Sequence, residues 1–140
     1  MLYGGYEHTI DKKGRVFIPA KFRDDLGESF IICRSISGKQ CLCIYPFSQW
    51  EKLVAKLSAL PMSQSSGIKR FIFDGSFNVE FDSQGRIVIP PSLRDFASLE
   101  GNAHLIGMVE YIELWSSQRW QEENNYNEIQ AAEDAEKFAL

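Results

Sequence analysis

Short runs in which apolar and polar residues alternate, or in which β-branched residues cluster, dominate the first part of the chain. Such runs are typical of strands that bury one face. They predict strands at 6–11, 15–18, 30–34 and 41–45. Pro19 ends the second strand, because proline cannot donate to a sheet ladder. A short helix is then predicted at about 20–26.

The same series of elements recurs later in the chain. Five residues of the first copy, Asp11, Gly14, Arg15, Ile18 and Pro19, return at a constant offset of 71 as Asp82, Gly85, Arg86, Ile89 and Pro90. The second copy predicts strands at 79–82, 86–89, 104–107 and 111–115. Its helix, at about 91–97, begins with a proline, which suits the first helical position. A repeat of this extent predicts two equivalent half-domains.

A longer helix is predicted between the two copies. Ser48 and Glu51 form the S-x-x-E pattern of a capping box, and Pro61 ends the helix. The apolar residues at helical spacing between them are Trp50, Leu53, Val54, Leu57 and Leu60. We interpret residues 62–75 as a linker that contains a short second helix.

These elements predict an α+β, β-rich fold with short helices. The chain divides into a first half-domain at 5–47, a helical linker at 48–75, a second half-domain at 76–119 and an acidic tail at 120–140. Within the tail, Tyr126, Ile129 and Ala132 have weak helical spacing. We expect this tail to be partly disordered.

The most distinctive segment of each copy is a tight turn between two predicted strands of a hairpin. Gly14 and Gly85 supply the positive φ that such turns require. Asp11 and Asp82 stand where an aspartate accepts hydrogen bonds from turn amides, and each carboxylate can also pair with the arginine four residues later. We therefore interpret these four residues as organising their loops.

The first turn carries Lys12, Lys13 and Arg15 at or beside its tip. A projecting basic turn can reach phosphate groups of DNA. From the residues alone, the alternative that these lysines are simply solvated is favoured. Arg86, in the second turn, either contacts DNA or locks its own loop.

Charge neither excludes nor requires a nucleic-acid partner. The formal net charge is −4. The stretch 121–140 holds six acids against Lys137 alone, which leaves residues 1–120 with a net charge of +1. No run approaches the roughly 18 apolar residues of a membrane span, and the start of the chain lacks a signal-peptide pattern. Three cysteines are an odd number, which favours a reducing compartment.

No catalytic, cofactor or metal site is predicted. Cys41 and Cys43 share one face of a strand, but zinc sites normally need longer spacing and a second ligand pair, so buried cysteines are favoured. Cys43 as a nucleophile lacks a nearby base. The tryptophans at 50, 115 and 120 are interpreted as core or subunit-contact residues. Arg23 and Arg94 are equivalent in the two copies. They are interpreted as helix-surface residues or as partners in interface salt bridges, and the interface is preferred.

The unit of turn, helix and two strands, with Asp-x-x-x-Arg in the turn, resembles the SpoVT/AbrB half-domain. Two copies in a chain of this length resemble the MraZ family. The residues that carry the resemblance lie at 6–15, 17–19, 42–46, 82–86, 89–94, 106–107 and 113–115, and the similarity covers about 1–121.

This resemblance implies tandem, pseudo-symmetric AbrB-like halves of the swapped-hairpin or double-ψ-like barrel type. It implies a transcription regulator, usually a repressor, that binds double-stranded promoter DNA at direct repeats ahead of its own division and cell-wall gene cluster. A closed homo-oligomeric ring, a cytoplasmic location and association with the nucleoid are also implied. With the resemblance, DNA contact becomes the favoured role of the first turn.

The chain departs from the family pattern in two places. Ser65-Ser66-Gly67 replaces a better helix start, and Ser83-Gln84 replaces the paired lysines of the first turn. The two turns are therefore expected to contribute unequally to phosphate binding. An alternative function is an antitoxin-like or scaffold interaction module that uses the acidic tail.

Overall fold

The computed structural model describes residues 1–140, which form eight strands and six helices. The strands are β1 (Leu2–Thr9), β2 (Arg15–Phe17), β3 (Phe30–Arg34), β4 (Leu42–Pro46), β5 (Ser76–Val79), β6 (Arg86–Val88), β7 (Asn102–Val109) and β8 (Ile112–Ser116). The helices are α1 (Ala20–Leu26), α2 (Phe47–Ser58), α3 (Met62–Asp74), α4 (Pro91–Ala97), α5 (Ser117–Glu123) and α6 (Glu128–Lys137). The predicted α+β class with short helices is confirmed.

Six strands form one antiparallel sheet in the order β1-β7-β8-β4-β3-β5. Strands of the two copies are interleaved within it, because β7 and β8 of copy two lie between β1 and β4 of copy one. The first strand of copy one, β1, pairs along its whole length with β7 of copy two, from Leu2 opposite Val109 to Thr9 opposite Asn102. Conversely, β5 of copy two pairs with β3 of copy one.

The remaining strands form a separate ribbon in which β2 of copy one pairs with β6 of copy two. Val16 lies opposite Ile87 at its centre, and both side chains are buried. The predicted hairpins are therefore wrong: the strands on either side of each turn pair with the other copy. A period-two pattern identifies a buried face but not a partner, and an internal repeat offers two similar partners for every strand.

The two copies share one hydrophobic core. A single cluster of 20 buried residues contains side chains from both. Phe22 of α1 and Leu93 of α4, which are equivalent in the repeat, are both essentially inaccessible to solvent. The boundaries 5–47 and 76–119 thus separate two sequence repeats that do not possess separate cores.

Several predicted elements begin or end elsewhere in the structure. The capping box at Ser48 and Glu51 is wrong, because β4 passes directly into α2 and Pro46 occupies the N-cap position. Ser48 is thus already inside the first turn. The first strand of the second copy lies at Ser76–Val79 and not at 79–82.

The linker is more helical than predicted. The helix α3 has 13 residues, and Ser65-Ser66-Gly67 lies within it, not at its start. The buried Ser65 hydroxyl donates to the carbonyl of Pro61 at 2.7 Å, so this serine satisfies its polar group inside the helix. The tail also forms a helix, α6, which is capped by Asn127 and Gln130 in a reciprocal capping box. None of the helices combines the length and apolarity of a membrane-spanning segment.

The exchange of strands predicts that neither copy folds as a monomer. A fragment of residues 1–75 keeps β1 and β2 but lacks β7 and β6, so their backbone groups lose their partners. We expect the fragment to be unfolded at low concentration and to gain structure only as it self-associates. Circular dichroism and sedimentation across a concentration series check this, with the whole chain as control. A folded monomeric fragment would contradict it.

Candidate nucleic-acid interface

The first loop, residues 11–15, is held by one carboxylate. Oδ1 of Asp11 accepts hydrogen bonds from the backbone N–H groups of Lys13 at 3.0 Å and Arg15 at 2.9 Å. Oδ2 accepts from Nε of Arg15 at 2.5 Å. The backbone closes the loop as well, since Gly14 N–H donates to the Asp11 carbonyl at 3.0 Å.

The second loop, residues 82–86, repeats this geometry. Oδ1 of Asp82 accepts from the N–H groups of Gln84 and Arg86, both at 2.9 Å, and Oδ2 accepts from Nε of Arg86 at 2.8 Å. Gly85 N–H donates to the Asp82 carbonyl at 3.1 Å. The two loops therefore share one internal structure despite different residues at their tips.

These hydrogen bonds lower the pKa of both aspartates. For Asp11 the largest cause is the backbone hydrogen bond from Arg15, and for Asp82 it is the equivalent bond from Arg86. Each favours the ionised carboxylate. Both groups thus remain charged at neutral pH, with much of their hydrogen-bonding capacity directed into the loop.

The loops are also braced by the opposite copy. Gly14 has a φ of +80°, and a Cβ added there would lie 2.7 Å from Cζ of Arg94, on α4. Gly85 has a φ of +78°, and its Cβ would collide with the guanidinium of Arg23, on α1. The Gly14 carbonyl accepts from Ile89 N–H at 2.8 Å. Each loop is thus fixed by backbone and side-chain contacts from the other half.

This role of Arg23 and Arg94 could not be deduced from the sequence. Their equivalence in the repeat indicated an interface, and the structure places them at the junction of the two copies. They form no salt bridge: the charge pairs of the loops are Arg15 with Asp11 and Arg86 with Asp82. The contribution of Arg94 is packing, because its Nε is buried without a hydrogen-bond partner.

The β2–β6 ribbon holds the two loops at its opposite ends. Because the strands are antiparallel and Arg15 pairs with Val88, the loops are separated by about 10 Å of strand. The outer face of the ribbon carries Arg15 and Arg86 beside two exposed apolar side chains, Phe17 and Val88. Lys12 and Lys13 are exposed at the first tip, and Ser83 and Gln84 are exposed at the second. The surface is therefore symmetric in backbone and asymmetric in charge.

The cysteines lie apart from this surface, and all three are buried and free of disulfides. Burial raises the pKa of the Cys33 and Cys41 thiols to about 12 and raises that of Cys43 as well. These thiols are therefore protonated at neutral pH and unsuited to act as nucleophiles. The structure contains no group of three or more histidine, cysteine, aspartate or glutamate side chains that could hold a metal.

Comparison with known proteins agrees with the duplicated architecture. The family model of the MraZ protein, described as antitoxin-like, matches residues 1–67 and again residues 72–140. The chain belongs to the MraZ family. The two matched segments correspond to the two copies of the repeat, so the family pattern includes both loops.

Relatives in the MraZ family match along almost the whole chain. A protein of Halothermothrix orenii named Transcriptional regulator MraZ is 45% identical over 139 residues, which is 94% of this chain and 96% of that protein. A protein of the same name from Acetivibrio thermocellus is 41% identical over 142 residues, which is 100% of this chain and 98% of that protein. A solution structure of PHS018 from Pyrococcus horikoshii is 18% identical and covers 81% of this chain and 88% of its own, with a TM-score of 0.35. That likeness is too slight to bear on the fold.

The bracing of the loops predicts a difference between two glycine substitutions. Gly14 and Gly38 both have positive φ, but a Cβ at Gly38 would meet nothing within 4 Å. Gly38→Ala should cost about 1–2 kcal/mol of unfolding free energy from backbone strain alone. Gly14→Ala should cost more, because Arg94 must also move. Urea unfolding of both variants measures this, and equal losses would contradict the proposed contact with Arg94.

Proposed function

We propose that the protein is a transcription regulator, a repressor, that binds promoter DNA through its two loops. The observation that carries this proposal is the ribbon that presents two rigid loops about 10 Å apart, the first of them with exposed Lys12 and Lys13. Its relatives are named transcriptional regulators. Under this proposal the target is a set of direct repeats ahead of its own division and cell-wall gene cluster.

The loop chemistry supports DNA contact from a chain of net negative charge. Asp11 would repel a phosphate if it pointed outward, but its oxygens accept hydrogen bonds from the loop itself. Lys12 and Lys13 then act as point charges for phosphate oxygens. The Nε atoms of Arg15 and Arg86 bind aspartate, which leaves the terminal nitrogens of each guanidinium available to donate to DNA.

One basic loop binds DNA weakly, so the proposal includes a closed ring of several molecules of the protein. Linked sites raise the overall affinity by effective concentration. Exposed apolar side chains outside the loops support assembly, since such residues mark interaction surfaces when they cluster. Ile36, Ile68 and Phe71 line one such cluster together with Phe96. A swapped-hairpin relationship to AbrB, a cytoplasmic location and nucleoid association belong to the same proposal.

A second candidate function is an antitoxin-like or scaffold role in which the acidic tail binds a basic partner protein. The exposed helix α6 favours it, since this helix presents acidic side chains to solvent. The two functions differ in their response to DNA. Equal weak binding to promoter and scrambled DNA, or no binding, would favour the tail as the functional surface.

The test of the DNA-binding surface is replacement of Lys12 and Lys13 by alanine. Fluorescence anisotropy is measured on DNA from upstream of the protein's own gene and on a scrambled control, across a salt series. We expect at least about a tenfold loss of affinity. The slope of log K against log salt should fall by about two for each engaged loop, because each lost phosphate contact removes roughly one unit.

The matched control replaces Lys21 and Lys52 by alanine, which removes the same charge elsewhere on the surface. Lys21 lies over the ring of Tyr3, at the start of β1, and Lys52 is exposed on α2. This control should keep nearly all of the affinity. If both double variants bind equally well, the first loop is not the DNA-binding surface.

A further inference from the structure

The tail helix α6 is formed but packs against little of its own chain. Ile129 within the helix is 65% exposed, and Phe138 and Leu140 just beyond its end are 63% and 96% exposed. Local contacts hold it, chiefly the capping box and the hydrogen bonds from the Tyr126 hydroxyl to the Gln130 carbonyl and to Asp134. An isolated helix of ten residues is marginal in water, so a partner surface would stabilise it.

A suitable surface lies on α3. One face of this helix presents a shallow, open groove between its own side chains, which are Met62, Ser66, Lys69, Arg70, Phe73 and Asp74. Met62 is 67% exposed and Phe73 is 40% exposed, so apolar side chains stand at both ends of the groove. Between them lie two basic side chains. The groove therefore suits a helix that is partly apolar and partly acidic.

Charge and length both match the tail. The groove side chains Lys69, Arg70 and Asp74 give a net charge of +1, whereas residues 121–140 carry a net charge of −5. From Met62 to Phe73 the helix α3 rises by about 16 Å, and the ten residues of α6 span about 15 Å. An acidic helix docked along a basic groove gains both apolar burial and electrostatic complementarity.

We propose that α6 of one molecule docks into the α3 groove of a second molecule of this same protein. Both surfaces are exposed within a single chain, so the contact joins neighbours. Each molecule has one tail and one groove. Contacts between these unlike surfaces repeat head to tail, and the assembly either closes into a ring or extends as a filament. This inference deepens the ring assembly of the proposed function and rests on it, while DNA binding by the loops is a separate property.

Charge reversal tests the contact in the full-length protein. Lys69→Glu with Arg70→Glu reverses the groove, and removal of residues 124–140 deletes the tail helix. Both changes should shift the mass measured by light scattering to smaller species, with at least about tenfold weaker self-association. Lys21→Glu with Lys52→Glu, an equal change of charge at two exposed side chains outside the groove, should leave the mass unaltered. Thermal unfolding of each variant confirms that it is folded.

Two further measurements identify the partner as a second copy. Adding Glu133→Lys and Glu136→Lys to the reversed groove should restore the larger mass. A tailless chain with an intact groove, mixed with a groove-reversed chain with an intact tail, should form a complex that neither chain forms alone. Wild-type mass in the tailless chain, or no complex in the mixture, would overturn the inference. The proposed function fails separately, if the wild-type protein shows no preference for its promoter DNA.

Discussion

Neither copy of the repeat can pair all of its own strands, although β3 pairs with β4 and β7 pairs with β8 within one copy. The strand β1 finds its only partner in β7, and β2 finds its only partner in β6. Backbone groups that lose their partners and stay shielded from water cost free energy comparable to a lost hydrogen bond. The two copies are therefore obliged to fold together, and the common core, the ribbon and the placement of both loops follow from that exchange.

The exchange of strands also fixes the position of the exposed loops. A turn held only by its own aspartate would keep its shape but could move as a unit. Here Arg94 packs against Gly14, and the Gly14 carbonyl accepts from Ile89. The position of the basic tip is therefore set by residues of the other copy. Such preorganisation reduces the entropy that a loop loses when it binds a partner.

The sequence predicted the elements better than their connections. The internal repeat located the loops, and helices α1 and α4 have the predicted bounds, because proline and glycine terminate elements for local reasons. Strand pairing failed, because alternation of apolar residues is equally compatible with either copy as partner. The packing of Arg23 and Arg94 against the loops could not be predicted either, because it depends on which loop each helix contacts once the strands are exchanged. The capping box at Ser48 failed because Pro46 begins the helix two residues earlier.

Two repeats joined in one chain need not be identical, whereas the subunits of a symmetric dimer must be. Two identical subunits must present identical loops, so their natural binding site is a palindrome. Here covalent linkage lets one tip hold Lys12 and Lys13 while its equivalent holds Ser83 and Gln84. The ribbon thus has a direction, with a charged end and a neutral end. A site that matches it would itself be directional, and several such sites in one orientation would suit several copies facing the same way.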